Sequence, residues 1–154
     1  MADFAYTYGL LKIGLGDVHW DTDDIRFILC MSLTTADTER DKQKIGDFTT
    51  LDEFDGGGSH PPSFANRENL LNQTFTVDEP NNRAEFFATN HTVSSIPAGT
   101  RPIQGIIVYF HVTNDAASVP LLWIDSGGFP FTANGGDLVF SWNAEGIGQI
   151  TSAG

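Results

Sequence analysis

A chain of 154 residues with 20 acidic side chains against 8 basic ones carries a net charge of −12, which disfavours nucleic acid and anionic membrane surfaces as partners. The length fits one domain with a core of its own, and the lone cysteine, Cys30, excludes an intrachain disulfide framework. No basic segment and no apolar run is long enough for a signal or a membrane span, so the expectation is a soluble protein made in the cytoplasm, in which the sequons at Asn72 and Asn90 carry no weight.

Taken in order, residues 6–14 suit a short strand that closes at the Gly-Leu-Gly turn of 14–16. The clearest strand of the first half is 25–34. Ile25, Phe27, Leu29, Met31 and Leu33 alternate with Arg26, Ile28, Cys30 and Ser32, the period of two that marks a β-strand. Cys30 is then a small hydrophobe packed beneath a sheet, not a reactive thiol. The texture changes over 34–66. A mixed-sign charged run with room for a short helical turn gives way to three glycines and the paired prolines Pro61 and Pro62. This stretch reads as a long irregular loop, either mobile at the surface or an arm that orders against another subunit.

Strand signals return at 71–79, with Leu71, Phe75 and Val77 on one face. Asn81 and Asn82 offer a turn, and 83–89 pairs back as a hairpin. The segment 104–142 holds three runs rich in β-branched and aromatic residues, cut by Asn, Asp, Gly and Pro. In the first, Ile106, Val108, Phe110 and Val112 share a face opposite Ile107, Tyr109 and His111. Both faces are apolar, which implies cover on both sides from a second sheet or a neighbouring subunit, and hence a dimer or trimer. In the third run Leu138, Phe140 and Trp142 share a face opposite Val139 and Ser141. These three runs are expected to form one antiparallel sheet. A short strand follows Trp142. About eight short strands with frequent turns predict an all-β fold, a single-domain antiparallel β-sandwich or jelly roll over 1–154, with 34–66 as its extended loop or arm.

Few residue groups suggest chemistry. The Asp-Ser-Gly-Gly of 125–128 resembles the nucleophile segment of chymotrypsin-like proteases, but Ile124 stands where that family has Gly, Phe129 separates the glycines from Pro130, and no histidine supplies a held base. It reads as a strand-ending turn. Asp17, Asp21, Asp23 and Asp24 offer oxygen ligands of the kind calcium takes, without the spacing of a twelve-residue calcium loop. A solvated acidic turn is the simpler reading. His19, His60, His91 and His111 lack zinc-site spacing. No catalytic residue, cofactor site or metal ligand is therefore assigned, and the chain is read as not an enzyme. Trp20, Trp123 and Trp142 are expected in the core or at sheet edges, with interface anchors or sugar platforms as alternatives.

The motif order carries one resemblance. The stretch LLKIGLGDVHWDTDDIRFILCM of 10–31 resembles the opening of small virion proteins of tailed bacteriophages, and so does the later series IQGIIVYFHV, PLLWIDS and DLVFSWNAEGIGQI. The likeness covers roughly 6–33 and 103–150, with IleAspSerGly here in place of the family's IleAspPheGly. It implies a minor capsid, cement or decoration protein without catalytic residues, which binds the major capsid protein at the outer surface of the virion. A tail or baseplate component is the alternative within the same particle. A carbohydrate-binding module, with Trp20 as its exposed platform, is a third.

Overall fold

Antiparallel pairing organises the whole chain in the computed structural model, which describes residues 3–55, 67–99 and 101–152. In chain order the elements are β1 (Phe4–Ala5), α1 (Thr7–Gly14), β2 (Ile25–Met31), β3 (Glu68–Asn69), β4 (Thr74–Asp78), β5 (Arg83–Phe87), β6 (His91–Val93), β7 (Ile103–Phe110), β8 (Val119–Ile124), β9 (Leu138–Phe140) and β10 (Gly148–Thr151). A five-stranded sheet runs β1-β8-β7-β2-β3, a three-stranded sheet runs β10-β5-β4, and β6 pairs with β9. The result is all-β and sandwich-like, open rather than closed into a barrel.

The alternation read in β2 and β7 decides the layering. Ile25 and Phe27 of β2 join Ile106 and Val108 of β7 in one apolar cluster, which the smaller sheets cover with Phe86, Val93 and Phe140. Ile28 and Cys30 join Ile107, Tyr109 and Trp123 in a second cluster on the opposite face. Fully burying one Ile or Val contributes about 1.5–3 kcal/mol, so neither face is stable uncovered. The second face takes its cover from residues 34–55 of the same chain: Ala36, Ile45 and Phe48 are buried there beside Tyr6, with Leu51 packed against them. Two-sided apolarity in β7 thus needs no neighbouring subunit, and it no longer argues for a dimer or trimer.

The 34–55 segment has almost no regular structure beyond a 3-10 turn at Ile45–Asp47, yet its backbone is well satisfied. Thr35 N–H bonds Thr50 O at 2.9 Å, Phe54 N–H bonds Leu29 O at 2.8 Å, and Ile45 N–H bonds Ser118 O at 3.0 Å. It is irregular, as expected, but laid down on its own sheet, neither loose nor reaching outward. Residues 56–66, including His60 and the paired prolines, lie outside the described residues.

Two further expectations are corrected. Residues 7–14 form a helix, not a strand. Its Gly9 sits so close to β8 that a Cβ there would lie 2.4 Å from the Pro120 carbonyl oxygen. Pro120 lies where the β7–β8 register shifts, a place where a residue without an N–H is tolerated. The third run, β9, leaves the central sheet and pairs with β6, His91 opposite Phe140. Alternation identifies which face a strand buries but not which strand it pairs with. The hairpin of β4 and β5 forms as read, with Asn82 left-handed in its turn.

Candidate functional site

Aromatic side chains converge where β8 ends beside the first half of β7 and along β9. They line a cleft of about 560 Å³, between the 125–131 turn and the 143–147 loop. Phe129 and Phe131 lie 5.5 Å apart between ring centroids, and Phe140 and Trp142 stack at 5.6 Å with planes 23° apart. Ile106 and Ile147 complete the apolar lining, and Asp3, Ser126 and Asn143 stand at its polar margin.

Local backbone chemistry builds each wall. Gly127 and Gly128 both have positive φ, a region open to Gly at no steric cost, so the chain reverses directly after β8. Asp3 ties that turn to the N-terminal strand. Its Oδ1 accepts from the Asp125 and Ser126 amides at 2.8 and 3.0 Å, and its Oδ2 accepts from Ser126 Oγ at 2.6 Å. Ser126 is thereby bound to a carboxylate rather than to a histidine base, and 125–128 is a strand-ending turn. Trp142 is held from behind, its Nε1 donating to Thr89 O at 3.0 Å and its amide to Asn90 Oδ1 at 3.1 Å. The indole is fixed while part of it stays open to solvent. An apolar cleft with a few placed polar groups is the form a binding site takes.

The other tryptophans are core. Trp20 is buried, donates from Nε1 to Phe87 O at 2.8 Å and packs 5.1 Å from Phe86, so it offers no exposed platform. Trp123 is fully buried on the second face.

The acidic turn is dispersed into separate contacts. Asp17 pairs with Lys12 at 2.8 Å, Asp23 accepts the His19 amide at 2.7 Å, and Asp24 receives the Arg26 guanidinium at 2.8 Å. The Arg26 hydrogen bond holds the Asp24 carboxyl below the usual range. Among the described residues no group of three or more His, Cys, Asp or Glu is arranged to hold a metal. His91 bonds Glu68 at 2.7 Å and His111 bonds the Tyr109 hydroxyl at 3.1 Å. Burial, aided by the Arg26 charge, holds His111 below the ordinary imidazole value. Burial pushes the Cys30 thiol up, which leaves it unreactive.

A buried ion-pair cluster went unread in the sequence. Arg67, with its side chain 3% exposed, forks onto Glu53 at 2.9 and 2.8 Å, bonds both oxygens of Asp115, and lies 5.5 Å from the Tyr109 ring. It joins the end of the 34–55 cover to the loop after β7. Arg101 likewise forks onto Asp52 at 2.8 Å on both arms. Every one of the eight basic side chains is engaged: six sit in ion pairs, Arg40 stacks 4.2 Å over Phe4, and Lys44 donates to Ala117 O. The surplus charge left facing outward is negative.

No protein-family model matches this chain, and neither a curated protein nor a solved structure matches it.

Proposed function

We propose that the chain is a non-enzymatic structural protein of a tailed bacteriophage particle, a cement or decoration protein that binds the outer surface of the major capsid protein shell and stabilises it. The observation that carries this reading is the place of the two resembling stretches, 6–33 and 103–150. They are far apart in sequence yet meet in the β2–β7 ladder, Ile25 opposite Phe110 and Met31 opposite Ile103. The second stretch also lines nearly all of the aromatic cleft. The two stretches that carry the resemblance are thus packed together in one framework that borders the cleft.

The rest of the molecule agrees with that role. A negative surface with every base engaged keeps the protein off packaged nucleic acid and suits a basic rim on the shell. The cleft takes an apolar anchor from a shell subunit, with the fixed Trp142 indole as its contact. Cryo-EM of the intact particle tests this directly. Density over the capsomer junctions, with lower occupancy when Trp142→Ala protein is added back to stripped particles, is the expected result. Density confined to the tail, or none in fixed stoichiometry, would sink it.

A further inference from the structure

We infer that the outer edge of β4 is a self-pairing surface through which two copies of this chain join edge to edge across a two-fold axis at Thr76. This stands independently of any role on a virion. Among the described residues β4 is the last strand of its sheet. The Phe86 carbonyl accepts from Ile147 N–H at 2.7 Å, so the polar backbone groups of Phe86 turn toward β10. Antiparallel alternation then makes Phe75–Phe86 a non-hydrogen-bonded pair and directs the amides and carbonyls of Phe75 and Val77 to the open side.

Proteins commonly blunt such an edge with Pro, Lys, a bulge or a covering loop. Thr74–Asp78 contains neither Pro nor Lys, pairs with β5 in unbroken register, and has its one charge, Asp78, held by Arg83 at 2.9 Å within the same hairpin. Val77 is 74% exposed and Phe75, stacked on Phe86 at 4.5 Å, is 47% exposed. An aromatic and a β-branched side chain thus stand beside backbone groups that no strand of the described residues pairs with.

The strand is also complementary to itself. Antiparallel pairing about Thr76 sets Phe75 opposite the second copy's Val77, and Val77 opposite its Phe75, in the hydrogen-bonded positions. Thr76 meets Thr76, a favourable cross-strand pair, and Thr74 meets Asp78. No like charges face each other along the strand, although the chain carries −12 overall. A foreign strand would have to supply this match, whereas a second copy brings it. The apolar face of Phe75, Val77 and Phe86 becomes continuous across the axis.

Sedimentation velocity of the full chain over a concentration series should show a monomer–dimer equilibrium. Thr76→Asp, at an exposed position, sets two carboxylates against each other at the axis and should weaken the dimer roughly tenfold or more while circular dichroism stays unchanged. Thr76→Cys should form an intermolecular disulfide on mild oxidation, Cys30 being buried, and faster than Thr151→Cys on the opposite edge strand. A chain monomeric throughout the series, a dimer that Thr76→Asp leaves intact, or cross-linking no faster than at position 151 would each overturn the inference.

Discussion

The two faces of the central sheet are covered by different material. One carries strands, β6 with β9 and the three-stranded sheet, and keeps an open aromatic cleft at its end. The other carries 34–55, with hardly any regular structure, and buries Ile28, Cys30, Ile107 and Trp123 completely. Cover does not require a ladder. It requires apolar side chains at the right places and a partner for each buried backbone group, and 34–55 meets both demands with local hydrogen bonds and charged anchors. The ladder-built face is the one that ends in the aromatic cleft.

That contrast can be broken most severely at Arg67. Arg67→Ala strands Glu53 and Asp115 beside the removed charge, and losing one partner of a buried pair costs about 3–5 kcal/mol. Urea unfolding should show the loss, and hydrogen exchange should show residues 45–54 opening ahead of β2 and β7. A loss under about 1 kcal/mol, the range of surface pairs, would mean that the irregular cover stands without its anchor. Phe48→Ala comes next. Phe48 meets Tyr6 edge-on at 5.5 Å, and truncating a buried Phe costs about 3 kcal/mol or more. The same truncation at Trp142, which lies partly open in the cleft, should cost less in thermal unfolding and show mainly in binding.

Smaller effects sharpen the picture. Gly9→Ala gains about 1 kcal/mol of helix propensity but drives a Cβ to 2.4 Å from the Pro120 carbonyl. Overpacking costs about 1–3 kcal/mol, so the net expectation is a modestly lower melting temperature. The least effect is that of pH on Glu39. Burial pushes its carboxyl up, but hydrogen bonds from Thr49 and Thr35 outweigh that and bring it down to about 2, from 4.5. A depressed folded-state value contributes stability in full above about pH 4.5, lost as pH falls toward 2. Urea midpoints across that window should decline less in Glu39→Gln than in the parent.

What could be read from the sequence follows from how far each signal reaches. Period two named both faces of β2 and β7 correctly over Ile25–Met31 and up to Phe110, because alternation is local and each face is buried there. It ran too far: Leu33 and Val112 lie beyond the strands and are exposed. The turn asparagines found the β4–β5 hairpin for the same reason. Residues 7–14 read as a strand because Tyr6, Tyr8 and the leucines suit either state, while in the fold they form a helix whose Gly9 meets β8. The cover at 34–55 escaped because Ala36, Ile45, Phe48 and Leu51 follow no period, their spacing being dictated by the sheet below. Of the cleft only Trp142 was singled out as a possible contact, since its walls come from separated stretches that only folding brings together. Arg67 had one legible sign: in a chain with 8 bases among 20 acids, any base is apt to be claimed by carboxylates.

The β2–β7 ladder also governs how the protein can be made. Ile25 waits for Phe110, and β2 gains its longer ladder only when β7 has left the ribosome. Until then β2 has only its short ladder with β3 and the cover from 34–55, its other apolar face stays open, and contacts as distant as those with β7 form slowly. Newly made chain is therefore most exposed to proteases and misassociation while the middle third is being translated. The first hairpin able to close alone, β4 with β5, also carries the open edge at Thr76. That edge is present from the moment the hairpin closes, before β2 and β7 have met.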